Sequence, residues 1–240
     1  MFGRVIESSY GTYSIISNDK IYKAKARGLI KSQFSKIVVG DFVNIKDKFV
    51  SEILPRKNLL HRPLVSNVDL LIMVVSTTDP KPNYFVIDKI TAIADFQNIP
   101  VCFILTKTDI KTDSEFENIY KNAGYLVLDK RNDFEKIKGL FKDKFCVLCG
   151  NSGVGKSTLI NELSGLNLET NETSKALGRG KHTTRVTELY KVLDGLICDT
   201  PGFSDIESDI PKEQLQLCFP EFKDLILNAQ KEDPQNERQD

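Results

Sequence analysis

The stretch Gly150-Asn-Ser-Gly-Val-Gly-Lys156-Ser157 constrains this chain more than any other. It fits GxxxxGK[ST], with an apolar run at 145–149 before it and a helical pattern at 156–163 after it. A strand that turns through a glycine-rich loop into a helix satisfies both flanks. Glycines remove the Cβ atoms that would keep backbone N–H groups from converging on a phosphate. A helix opening at Lys156 adds the positive end of its dipole. Lys156 is expected to reach the β- and γ-phosphates of a nucleotide and to serve catalysis there, and the Ser157 hydroxyl to coordinate Mg²⁺. The expected nucleotide contacts are therefore Gly150, Asn151, Ser152, Gly153, Val154, Gly155, Lys156, Ser157 and Thr158.

That loop implies a layered α/β domain, and the flanking sequence agrees. Apolar runs at 68–76, 101–105, 125–128, 145–149 and 196–198 are separated by helical patterns at 84–96, 114–123, 134–141 and 156–163. Strands alternating with helices predict a parallel sheet covered on both faces. Ligands in such sheets bind beyond the carboxyl ends of the strands, and each motif below follows one of these strands.

Thr106-Lys107-Thr108-Asp109 follows the strand 101–105 and resembles the NKxD element of GTPases. A carboxylate at Asp109 would accept from the ring N–H and the exocyclic amine of guanine. Adenine has no such donors, so the buried charge would be left unpaired against ATP. Thr106, in place of the usual Asn, and Lys107 complete the expected base site. Asp199-Thr-Pro-Gly202 ends the strand 196–198. There Asp199 is expected to hold Mg²⁺ and the Gly202 N–H to meet the γ-phosphate. Between the two phosphate elements lies Gly178-Arg-Gly-Lys-His182-Thr183-Thr184, a polar stretch suited to a switch loop in which Thr183 or Thr184 supplies a hydroxyl to Mg²⁺. Phe203, after DTPG, cannot orient water. His182 is the nearest candidate for that task, the alternative being contact with a partner or solvent. His61 is expected to pack.

Residues 1–57 read differently. Short β-patterns at 2–8, 13–17, 20–26 and 41–46, punctuated by Asn18-Asp19, Gly28 and Gly40-Asp41, suggest a five-stranded OB-fold barrel, with another small β-domain as the alternative. This segment holds eleven Lys/Arg against five Asp/Glu, a net of +6, whereas 203–240 holds four against ten, a net of −6. A basic module can touch a phosphate backbone, and Lys23, Lys25, Arg27, Lys31 and Lys36 are the expected RNA contacts; charge alone fits a solvated face equally well. The expected division is a barrel at 1–57, a linker at 58–64, an α/β domain at 65–217 and a C-terminal segment at 218–240, partly disordered. The five cysteines fit a reduced interior, and Cys146 and Cys149 are read as core residues of one strand. The first residues lack an apolar core of signal-peptide length, and no apolar run approaches the ~20 residues a membrane span needs, so a cytoplasmic monomer is expected.

The order is unusual: TKTD, phosphate loop, HTT, DTPG. With NLLHRP, NVDLLIMVVS, GRGKHTT, FPEF and the Gly40-Asp41-x-Val43 element, it resembles the ribosome small-subunit-dependent GTPase family (RsgA, also called YjeQ). The resemblance covers nearly the whole chain. It implies an α/β P-loop NTPase of the circularly permuted GTPase type preceded by a small all-β OB-fold barrel. It also implies GTP hydrolysis to GDP, with Mg²⁺, stimulated by the small ribosomal subunit and its rRNA during late maturation of that subunit. Two departures stand out. The family has a C-terminal zinc module of three Cys and one His after FPEF; here neither residue type follows Phe222, so no zinc is expected, the module being degenerate or cut short. No Ser-Ala element for guanine follows 125–128, where the sequence is Asp129-Lys-Arg-Asn-Asp133. Two other readings of the residues stay open: a non-hydrolysing RNA-binding module with a structural nucleotide, and an ATP-dependent P-loop kinase.

Overall fold

The computed structural model describes residues 1–9, 11–26, 36–164, 189–199 and 210–232. Five strands form the N-terminal part: β1 (Phe2–Ser9), β2 (Thr12–Ser17), β3 (Lys20–Ala26), β4 (Phe42–Lys46) and β5 (Phe49–Ile53). They close in the order β1-β2-β3-β5-β4, with β1 antiparallel to β4 and β3 parallel to β5. Alternation turns Val5, Tyr13, Ile15, Ala24, Val43, Ile45 and Val50 into a common core, while Lys23 and Lys25 flank buried Ala24 on the outside. The sequence pattern placed four of the five expected strands and left β5 unplaced. It begins three residues after Lys46, across a two-residue turn in which Asp47 and Lys48 both adopt positive φ.

The stretch read as a linker is built. Strands β6 (Leu59–His61) and β7 (Leu64–Ser66) pair antiparallel, and Leu60 and Val65 are buried in the core of the next layer. His61 does not pack as expected; it is exposed on this hairpin. The hairpin lets a closed barrel and an α/β layer share one junction.

The main sheet has six strands: β8 (Leu70–Ser76), β9 (Val101–Thr106), β10 (Leu126–Asp129), β11 (Phe145–Cys149), β12 (Leu189–Val192) and β13 (Gly195–Asp199). Their spatial order is β10-β9-β8-β11-β13-β12. All neighbours are parallel except β12, which is antiparallel to β13 and was not anticipated. The Asp194-Gly195 pair at its turn was the available hairpin signal. Helices α1 (Tyr84–Phe96), α2 (Ser114–Asn122), α3 (Phe134–Gly139) and α4 (Lys156–Ser164) cover the sheet. Asn83 and Asp113 accept from the N–H of the third residue of α1 and α2, Val86 and Phe116, satisfying donors the helices leave open.

Period-two alternation gives the sheet two dry faces. Leu71, Met73, Val75 and Phe103 meet Ile87, Ile90 and Phe116 on one side; Leu70, Ile72, Val74 and Ile104 meet Ile137, Leu159 and Leu163 on the other. Cys149 lies on the first side and Cys146 on the second, both without exposure, so the C-x-x-C pair is core. Burial pushes the Cys146 and Cys102 thiols up to about 12. At the C-terminal side, α5 (Lys212–Leu215), a 3₁₀ turn (Gln216–Cys218) and α6 (Pro220–Glu232) follow. Within the C-terminal segment expected at 218–240, the helix runs to Glu232; 233–240 lie outside the described residues. Among the described residues no helix is long and apolar enough to cross a membrane.

Candidate functional site

Sequential strands β8, β9 and β10 step outward in one direction, and β11 returns to the opposite side of β8. The sheet therefore reverses its winding between β8 and β11, and the crevice beyond their carboxyl ends is where such sheets take ligands. The loop 150–155 leaves β11 at that crevice. Gly150, Gly153 and Gly155 have φ of 142°, 80° and 99°. Gly150 also has no room for a side chain, since a Cβ would lie 2.4 Å from the Val74 carbonyl oxygen. Val154 anchors the loop from below at 3% exposure, so only its backbone faces the crevice. Asn151, Ser152, Gly153 and Thr158 are exposed. Lys156 Nζ donates to the carbonyls of Gly150 and Asn151, at 2.7 and 2.9 Å, which sets its charge across the mouth of the loop. Ser157 sits in the first turn of α4, and Leu159, Ile160 and Leu163 hold that helix on the sheet.

The loop after β9 is bound to this one. Thr106, 3% exposed, directs Oγ1 at the Val154 carbonyl oxygen, 2.6 Å away, with the Val75 carbonyl at 3.2 Å. Its hydroxyl fixes the two loops together, where the sequence had suggested a nucleotide contact. Thr77, just after β8, joins the same knot. Its N–H and Oγ1 lie 3.1 Å from the Thr106 carbonyl oxygen, and Oγ1 lies 3.1 Å from that of Lys107. Sequence reasoning passed over Thr77; a Ser/Thr cluster after an apolar strand was the signal. Lys107 takes φ 59° and donates Nζ to the Asp79 carbonyl. Asp109 is exposed, and its carboxylate has no hydrogen-bond partner among the described residues.

A second missed element lies after β10. Thr108 Oγ1 donates to Asp129 Oδ1 at 3.0 Å, and the same carboxylate accepts from the N–H groups of Arg131 and Asn132. The Asp-Lys-Arg-Asn stretch is thus a tight turn pinned to the TKTD loop, in the place where a Ser-Ala element was sought.

Strand β13 runs beside β11 with Asp199 opposite Leu148, so its chain ends at the same edge as the phosphate loop. The Asp199 side chain, His182, Thr183, Thr184, Gly202 and Phe203 lie outside the described residues, as do Arg27 and Lys31. Lys23, Lys25 and Lys36 are exposed, on the barrel and its flank rather than at the sheet edge.

The barrel meets the sheet through a polar junction centred on Asp41. Asp41 has no exposure; Oδ1 accepts from Arg56 Nε and Ser66 Oγ, both at 2.6 Å, and Oδ2 from Val38 N and Arg56 Nη2 at 2.9 and 2.8 Å. Gly40 lies against Ser66, where a Cβ would be 2.0 Å from the carbonyl oxygen. Arg4 of β1 stacks over Phe42 and over Phe145, the first residue of the strand that carries the phosphate loop.

Comparison with known proteins agrees with this geometry. Residues 53–209 match the RsgA GTPase family model, and residues 2–51 the RsgA N-terminal domain. The small ribosomal subunit biogenesis GTPase RsgA of Mycoplasmopsis pulmonis is 42% identical over 224 residues, covering 92% of this chain and 82% of that protein. RsgA 2 of Listeria innocua is 40% identical over 237 residues, covering 92% and 81%. Among solved structures, YloQ, described as a circularly permuted GTPase, superposes with a TM-score of 0.72 at 30% identity over 93% of this chain and 79% of its own. YjeQ from Thermotoga maritima gives 0.73 at 28%, over 93% and 82%. With a five-stranded barrel closed at one end of the chain, and a TKTD loop that precedes the glycine-rich loop yet is bonded to it, the chain belongs to the RsgA GTPase family.

Proposed function

We propose that this protein hydrolyses GTP to GDP and phosphate as a late maturation factor of the small ribosomal subunit, and that the subunit stimulates its turnover. The observation that carries this reading is the Thr106–Val154 bond, which holds the exposed Asp109 carboxylate in register with the phosphate loop. A base fixed at Asp109 then sets where its phosphates fall. The loop's three positive-φ glycines, the ammonium across its mouth and the N-terminus of α4 suit an anionic, Mg²⁺-bound polyphosphate. Ser157, Asp199 and one of Thr183 or Thr184 would hold the Mg²⁺, which neutralises charge on the phosphates. Lys156 stabilises the charge that develops as the terminal phosphoryl group leaves.

Water is the weak point of the site. Phe203 follows DTPG and brings no hydrogen-bonding group, so His182 is assigned the orienting role and intrinsic turnover is slow. The barrel's outward lysines, Lys23 and Lys25 on β3 with Lys36 and, from the sequence, Arg27 and Lys31, are assigned to rRNA phosphates. The test is the GTPase rate of the full chain with and without purified small subunits, repeated for His182→Ala. Strong stimulation of the wild type, blunted in the variant, is expected. A rate that added subunits leave unchanged overturns the reading.

A further inference from the structure

Guanine presents its ring N–H and exocyclic amine as donors, and O6 and N7 as acceptors. A carboxylate at Asp109 answers only the donors. Whatever answers the acceptors must itself donate, and several candidates near Asp109 are engaged elsewhere. The Thr106 hydroxyl proton is directed to the Val154 carbonyl at 2.6 Å and that of Thr108 to Asp129 at 3.0 Å. In the turn after β10 the backbone N–H groups are bonded to the turn and to β9. Lys130 N donates to Leu105 O at 2.9 Å, Arg131 N to Asp129 Oδ1 at 2.7 Å and Asp133 N to Asp129 O at 2.8 Å; Asn132 N lies 3.4 Å from Asp129 Oδ1. Among side chains, Asn132 Nδ2 donates to Asp129 Oδ2 at 3.1 Å, and Lys130 pairs with Glu162 at 2.8 Å. Arg131 differs: it is exposed, and its guanidinium has no hydrogen-bond or ion-pair partner among the described residues.

We propose that Arg131 reads guanine from the edge opposite Asp109, its guanidinium donating to O6 and N7. This rests on the reading of Asp109 as the base reader. Two observations hold the turn beside that residue: the Thr108–Asp129 bond, and the β9–β10 register that sets Asp129 beside Leu105. The planar fork of Arg matches the O6/N7 pair, the same pairing that reads guanine in a DNA groove. Adenine carries an amine at position 6, so the Arg131 donors would face another donor. Asp109 and Arg131 thus require guanine from two sides, in a chain where neither the Thr106 hydroxyl nor an open turn amide can donate to the base.

The test is binding by the full chain of GDP, 7-deaza-GDP (no N7 acceptor) and inosine diphosphate (no exocyclic amine). The wild type, Arg131→Ala, Arg131→Lys and Asp109→Asn are compared, with thermal melts run alongside. Wild type is expected to bind 7-deaza-GDP about tenfold more weakly than GDP. Arg131→Ala should weaken GDP about tenfold and erase that difference, Arg131→Lys should fall between, and the melts should coincide. The penalty on inosine diphosphate belongs to Asp109 and should persist in Arg131→Ala. A wild type that binds GDP and 7-deaza-GDP alike overturns the proposal. So does an Arg131→Ala protein that keeps the GDP/7-deaza-GDP ratio, whether its affinities fall together or stay unchanged. If Asp109→Asn keeps the preference for GDP over inosine diphosphate, the reading of Asp109 falls as well.

Discussion

Two aspartates in this chain look alike as sequence and differ in every physical respect. Asp41 follows a glycine at the end of the barrel's connecting segment; Asp109 ends the TKTD loop. Asp41 is fully buried and its two oxygens accept four hydrogen bonds from Val38, Arg56 and Ser66. Asp109 is exposed and accepts none from the described residues. Burying an ion costs several kcal/mol, so a buried carboxylate persists only where the fold itself supplies the donors. A carboxylate left open beside a phosphate loop takes its donors from elsewhere. The contrast separates the junction, a polar knot closed by the fold, from the proposed base site, where a ligand would supply the donors.

The largest expected effect is at the junction. In Asp41→Asn, either orientation of the amide sets an NH₂ against donors, because both oxygens now accept. A loss of about 3–5 kcal/mol in unfolding free energy is expected by denaturant titration, with GDP affinity per folded molecule nearly unchanged. If affinity falls while stability holds, Asp41 belongs to the site and the contrast breaks.

Asp109→Asn should do the reverse. It removes the charge proposed to accept two bonds from guanine, so GDP affinity should fall roughly a hundredfold. Xanthosine diphosphate, with a carbonyl where guanine has its amine, should bind better than to wild type. Stability should move by less than about 0.5 kcal/mol. Calorimetric titration with both nucleotides and a melt of each protein decide the matter.

A smaller effect sharpens the same division between interior and rim. Burial raises the Cys102 and Cys146 thiols from 9.0 to about 12. Because the folded values lie above the unfolded ones, this contribution is fully present below pH 9 and is lost as pH rises toward about 12. Melting temperature should therefore decline across that alkaline window, and less steeply in a Cys102→Ala/Cys146→Ala protein. Both thiols should stay unreactive to a thiol reagent at neutral pH until the chain unfolds.

The smallest change is expected on the barrel. Neutralising Lys23 and Lys25 should weaken small-subunit binding a few-fold and shallow its salt dependence by about one unit per lost phosphate contact, leaving GDP affinity intact. Binding that is unaffected would mark the charged face as merely solvating.

Much of the scaffold was legible locally. Strands at 20–26 and 145–149 and the helix at 84–96 fall where the pattern set them, because period and burial agree within each segment. Strands β5 and β12 escaped because both are short, β5 lying just after a tight turn and β12 just before one, and β12 owes its place to pairing with β13. The phosphate loop was readable because its chemistry is contiguous, and the order of motifs was readable because order is a property of the chain.

Partnership was not readable. Thr106 was read as a departure from the usual Asn, but its hydroxyl bonds the phosphate loop 48 positions away. Gly40-Asp41 was part of a family pattern, yet its role as a junction depends on Ser66, 25 positions on. The turn at Asp129 was a missing motif until Thr108 was found bonded to it. By itself the sequence determined that this chain binds nucleotide phosphate in an α/β layer with its motifs permuted. Only the tertiary structure decided which polar groups are satisfied within the fold and which stand open, because a hydrogen bond depends on distance in space and pattern reports only distance along the chain.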